Sequence, residues 1–268
     1  MFYQARNDLQ NKYYETWRLA GQKGNVLKTL TGSTPLGNHY EDCYLRMTDI
    51  HRHLHPYQFI SKEDIVIACG CHDGKVQIGT SQPLILSTLA KKVIVLEPDP
   101  VNINVLKNYI LKHSIDNIEI VPKAVWHTET TVVFTVCKRT ESNQIGKVGS
   151  RGKQIEVPTT TLDLLATEYG DIDFVNLTIN GTEFEALLGA QDMLKNNTNI
   201  SIAMITKRHP MFKSRMKAID LLENNGYYIG CADGPPRAWN VKDFYFSVGT
   251  KDKELLKKLS FKEGEIPW

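Results

Sequence analysis

The chain has 268 residues, long for one domain and short for two, which predicts one core with an appended segment. Hydrophobic residues make up 41% and charged residues 23%, enough apolar material to bury such a core. Thirty-two basic residues against 30 acidic ones leave a formal charge of +2, too even a balance for a nucleic-acid footprint, so no nucleic-acid partner is expected.

Residues 1–58 are polar and dotted with aromatics, and they read as an N-terminal helical segment broken by GSTPLGN. The opening MFYQARNDLQNKYYETW has no apolar run that could serve as a signal peptide, and no stretch of the chain reaches transmembrane length. Tyr13, Tyr14 and Trp17 are expected to pack this segment onto the rest, with a roof over an acceptor pocket as the alternative. In HRHLH, His51, His53 and His55 alternate as on one face of a strand. No metal is expected there.

From residue 64 short apolar runs alternate with longer amphipathic stretches, the pattern of a parallel sheet wrapped by helices. The expected strands are 64–69, 92–97, 117–122, 173–179, 200–205, 227–232 and 244–249, with helices over 77–90, 100–113, 183–195 and 212–224. Two alternating strands, 131–136 and 153–158, flank a polar loop. No helix separates the last two strands of the main series, only the turn signals of DGPPRAWN, so a closing hairpin with an antiparallel final strand is expected. This order is similar to the class I methyltransferase fold: α/β, Rossmann-like, a mostly parallel seven-stranded sheet ending in one antiparallel strand. The domain is expected over 59–250. The mixed-sign stretch KDKELLKKLSFKEG predicts a solvated helical tail over 251–268. The five cysteines, at 43, 69, 71, 137 and 231, are odd in number and match no zinc spacing; reduced thiols in a cytoplasmic protein are expected.

Open parallel sheets bind ligands beyond the carboxyl ends of their strands. The first strand ends in ACGCHDG, where Gly70 and Gly74 let the backbone turn and approach a ligand closely. The loop lacks GxGxxG spacing, which argues against NAD or FAD. Cys69 and Cys71 are small residues suited to such a loop. The second strand ends in Glu97-Pro98-Asp99-Pro100. A carboxylate there can accept from both hydroxyls of a ribose. Pro98 directs the chain, Asp99 caps the next helix and Pro100 opens it. Candidate bases are His72 and Asp73 in the loop, Glu183 after the fourth strand, and His209 after the fifth, where Lys207 and Arg208 also offer charge to an anionic acceptor.

The succession GCHDG, VIVLEPDPVNINVLKNYILKHSIDNIEIVPKAV, PTTTLDLL and INGTEFEALLGAQDML resembles the FkbM-type methyltransferases over roughly residues 60–232. These use S-adenosylmethionine, often on sugars and natural products, so the resemblance implies O-methylation of a sugar or small-molecule acceptor. It aligns Cys69, Gly70 and Gly74 with the cofactor loop, Glu97 and Pro98 with the ribose motif, and Ala124 and Val125 with the adenine pocket. Asn108 matches a helix asparagine, while Gly181 and Glu183 match the strand-four motif. The departures are Ala68, where the family carries Asp, and Asn176, Thr178 and Asn180, where it typically reads Lys, Asp and Glu. Thr178 still offers a neutral hydrogen bond to a cofactor. The neutral set raises the alternative of a non-catalytic binding or assembly module, and a homo-oligomer or protein partner is compatible with either reading.

Overall fold

The computed structural model describes residues 60–71, 82–137, 143–146, 152–205, 211–231, 244–258 and 262–263. The main sheet begins with β1 (Ile65–Cys69), β2 (Lys92–Leu96) and β3 (Ile118–Val121), joined by α1 (Gln82–Leu89) and α2 (Pro100–His113). After an inserted small sheet come α3 (Leu162–Tyr169), β8 (Phe174–Leu177), α4 (Glu183–Leu188), β9 (Asn199–Ile205), α5 (Phe212–Asn224), β10 (Tyr228–Cys231), β11 (Phe244–Thr250), α6 (Lys253–Lys258) and β12 (Lys262–Glu263). The insert holds β4 (Ala124–Val125), β5 (Thr131–Cys137), β6 (Gln144–Ile145) and β7 (Gly152–Thr160).

The strands lie in the order β12-β10-β11-β9-β8-β1-β2-β3. β1 pairs in parallel with both β2 and β8, and β11 is antiparallel to both neighbours. This is the class I methyltransferase arrangement, with one strand more than the sequence predicts. The extra strand, β12, falls in the stretch expected to be a helical tail. Among the described residues of that stretch, α6 is helical and Lys262–Glu263 pair with β10.

β1 and β2 read as unbroken apolar runs because both of their faces are covered. Ile67, Cys69, Ile94 and Leu96 pack on one side with Leu165, Leu187 and Leu222 from α3, α4 and α5. Val66, Ala68, Val93 and Val95 pack on the other with Leu84, Leu86, Leu106 and Tyr109 from α1 and α2.

Helix α2 covers the predicted span because its ends are marked chemically. The Asp99 side chain accepts from the Val101 N–H, Pro100 takes the first turn, and Ser114 closes the helix in the left-handed conformation. The helix expected over 183–195 is instead two pieces, α4 and a single 3-10 turn at Met193–Lys195. Gly189 causes the break. A Cβ there would lie 2.5 Å from the Trp126 carbonyl oxygen, so α4 stops against that backbone. The Asp163 carboxylate then accepts from the N–H groups of Asp192 and Met193 and starts the second turn.

In the small sheet, ordered β4-β7-β5-β6, alternate residues pack together: Val132, Phe134 and Val136 from β5 against Ile145, Ile155 and Val157. It provides a second wall beside the main sheet.

Candidate functional site

The chain runs outward from β1 through β2 to β3, then returns to β8 on the other side of β1. A crevice opens at such a reversal, beyond the strand ends. A cavity of about 390 Å³ lies there, within the size range of small-molecule sites.

Glu97, only 2% exposed, is the central acid. One carboxylate oxygen accepts from the Cys71 N–H and the other from the Asp99 N–H, each at 2.8 Å. A carboxylate has about four lone-pair sites, and the Cys71 thiol also hydrogen-bonds this one, so a ligand offering two hydroxyls would take the open site and replace the thiol. Burial pushes the Glu97 pKa up to about 7, against the two backbone N–H groups that hold it down. Burial, then the neighbouring Glu97, also raises that of the Cys71 thiol. Asn102 Nδ2 donates to the Cys71 carbonyl at 2.8 Å and fixes the same loop from α2. Gly70 makes the turn possible: its φ is +88°, and a Cβ would sit 3.0 Å from the Thr178 carbonyl oxygen.

Opposite the acid the lining is apolar. Ala124 and Val125 come from β4, and Phe134 and Ile145 face each other across β5 and β6. At the end of β8 the lining is polar but neutral. Asn176 Nδ2 donates to Gln82 Oε1 at 2.7 Å, and the Thr178 hydroxyl lies 2.8 Å from that oxygen and 3.0 Å from the Cys69 carbonyl. The hydroxyl has one proton and can serve only one of the two at a time.

Of the residues singled out from sequence, Gly70, Cys71, Glu97, Pro98, Ala124, Val125, Thr178 and Asn180 line the cavity. Cys69 does not: its side chain is buried in the core, and burial raises its thiol pKa. Asn108 lies on the exposed side of α2. Glu183 is fully buried, with Arg215 Nη2 3.1 Å and Nε 3.2 Å from its Oε1. It acts as the counter-ion of α5 and is absent from the cavity lining. His72, Asp73, Gly74, Lys207, Arg208, His209, the HRHLH stretch and the N-terminal aromatics lie outside the described residues. Among the described residues no group of His, Cys, Asp or Glu is arranged to hold a metal, and no helix is long and apolar enough to cross a membrane.

Gln82, Asn102, Phe134, Asn143 and Ile145 also line the cavity and carry no such mark in the sequence. The one available signal was the alternation in β5, which places Phe134 on the packed face of the strand.

Strand order, glycine turn and strand-end acid together define a class I methyltransferase domain. A family model described as Methyltransferase FkbM domain matches residues 69–229, more than half of the chain. The chain belongs to this FkbM methyltransferase family, whose cofactor is S-adenosylmethionine. No curated protein sequence matches it significantly. Among solved structures, it is similar to a methyltransferase FkbM from Methylobacillus flagellatus, at 14% identity and a TM-score of 0.48, over 82% of this chain and 60% of that one. The Streptococcus mutans protein SMU.1697c, in complex with SAH, matches at 10% identity and a TM-score of 0.45, over 76% and 96% of the respective chains. Aeropyrum pernix fibrillarin with bound S-adenosyl-L-methionine matches at 10% identity and a TM-score of 0.44, over 71% and 67%.

The residues present fit such a cofactor. A buried acid and apolar residues line one cavity, and Asn102 Oδ1, also of that lining, has no hydrogen-bond partner among the described residues.

Proposed function

We propose that the chain transfers a methyl group from S-adenosylmethionine to a hydroxyl of a small molecule, with sugars as the favoured acceptor class. The observation that carries this is Glu97, held by two backbone N–H groups and lining a cavity at the strand ends. Glu97 would take the ribose hydroxyls, with Gly70 and Pro98 shaping the turn around them. Ala124, Val125, Phe134 and Ile145 would exclude water around the adenine. Thr178 would bond the cofactor at the end of β8.

The bound cofactor supplies a methyl group on a sulfonium, open to in-line attack. Positioning supplies much of the acceleration in such a displacement, and an attacking hydroxyl must also lose its proton. Glu97 is the only carboxylate among the described lining residues, and its place is at the ribose. The bases we propose for that proton are His209, which follows β9 in the chain, and His72, which follows Cys71, with Asp73 as a further candidate. Glu183, tied to Arg215, positions α5.

A second reading, a binding module without turnover, draws on the neutral set of Gln82, Asn176 and Thr178, in which the Asn176 Nδ2 and the Thr178 hydroxyl both meet Gln82 Oε1. Calorimetry with S-adenosylhomocysteine, followed by methyl-transfer assays on sugar and small-molecule alcohols, separates the readings. Binding that is lost in Glu97→Ala, with methylated product, supports the enzyme. Binding without product from any acceptor supports the module, and absence of binding by folded protein sinks both.

A further inference from the structure

Beside the cavity the Asn143 side chain, just before β6, hydrogen-bonds the inserted sheet to the main domain. It is 8% exposed and lines the cavity. Its Nδ2 donates to Asp99 Oδ2 at 2.7 Å, its Oδ1 accepts from the Cys137 N–H at 2.7 Å, and its carbonyl accepts from Asn180 Nδ2 at 2.8 Å. The partners fix these orientations. A carboxylate and a carbonyl each require a donor, and an N–H requires an acceptor.

Asp99 is the residue whose N–H holds Glu97 and whose other oxygen caps α2. A continuous chain of hydrogen bonds therefore runs from Cys71 through Glu97, Asp99 and Asn143 to Asn180. It passes from the glycine turn to the loop after β8 around one side of the cavity. Asn180 stands at φ +54°, a left-handed position that asparagine tolerates better than longer side chains do.

We propose that Asn143 and Asn180 are positioning residues of the adenosyl site. They hold the Phe134 and Ile145 wall against the Glu97 loop, and Asn180 serves as a neutral donor where an acid would oppose the Asn143 carbonyl. The ligand assignment rests on the function proposed above. The role makes Asn180 a specificity element for cofactor affinity, and its neutrality is a requirement of this closure.

The test measures S-adenosylhomocysteine affinity for the full chain and three variants, with hydrogen exchange over 131–137 in the ligand-free proteins. Asn180→Gly keeps the left-handed backbone and removes the donor. Asn180→Asp keeps the shape and reverses the polarity. Asn143→Ala cuts the link to Asp99. The proposal expects about five- to tenfold weaker binding in Asn180→Gly and Asn143→Ala, and weaker binding still in Asn180→Asp, with faster exchange over 131–137 in all three. If Asn180 served the backbone alone, Asn180→Gly would bind as the wild type does. Wild-type binding with unchanged affinity in the variants overturns this proposal and leaves the functional reading standing. A wild type that binds no S-adenosylhomocysteine overturns the reading, and the positioning role falls with it.

Discussion

Glu97 sits under two opposing pressures. Burial disfavours its charge, while the N–H groups of Cys71 and Asp99 favour it, and burial prevails enough to bring its pKa to about 7. Ribose hydroxyls bond more strongly to a carboxylate than to its protonated form. Affinity for S-adenosylhomocysteine should therefore rise with pH through about 7 and level off above it, as calorimetry across pH 5.5–8.5 would show. In Glu97→Gln the step should vanish, with binding roughly ten- to hundredfold weaker at pH 8. Stability runs the other way. A raised folded pKa means the native protein holds the proton longer than the unfolded chain does, so this contribution is complete below pH 4.5 and is lost as pH rises through about 7. Ligand-free protein should lose stability over that window, and Glu97→Gln should show a flatter denaturation profile. A wild-type affinity independent of pH would remove Glu97 from the ligand contact.

The loop between β8 and α4 shows how local contacts hold an element. Gly181 has a φ of +101°, and a Cβ on it would come within 2.8 Å of Met211 Sδ. Its carbonyl accepts from the Ser214 hydroxyl at 2.8 Å. Gly181→Ala should cost about 1–2 kcal/mol in chemical denaturation, from the left-handed backbone and the crowded Met211 together. The Glu183–Arg215 pair joins the same helices deeper in the core, and Glu183 Oε2 and Arg215 Nη1 have no hydrogen-bond partner among the described residues. A pair so poorly satisfied adds little net stability, yet losing one member strands a buried charge. Arg215→Met alone should destabilise by roughly 3–5 kcal/mol, while the double change Glu183→Leu with Arg215→Met should recover most of that loss. A double variant as unstable as the single one would show that the pair itself contributes the stability.

Across the molecule, the sequence was most legible where burial is uniform. β1, β2 beyond Lys92, and β8 apart from Asn176 are apolar because helices cover both faces, and α2 and α5 match their predicted spans. β4 and β6, two residues each, are too short to carry a period, and Gly189 ends a helical pattern through contact with a backbone more than 60 residues away. The site divides the same way. Glu97 and Gly70 were readable because their chemistry is local to a strand end. Asn143 was not, because its meaning lies in Asp99 and Asn180, distant in sequence.

That division has a consequence for how ligand binding spreads. The cavity walls come from both sheets: Gly70, Glu97 and Thr178 from the ends of the main strands, and Val125, Phe134 and Ile145 from the insert. A ligand that fills the cavity binds only the folded state and stabilises it by about 2.7 kcal/mol at a hundredfold its Kd. For a domain of this size that corresponds to a Tm rise of roughly 5–10 °C. If both walls hold the ligand, S-adenosylhomocysteine should slow hydrogen exchange in the β5 and β6 segments as well as at the ends of β1 and β2. Protection confined to the main sheet would mean that the Phe134 and Ile145 wall is not part of the bound site, and that the insert serves the acceptor alone.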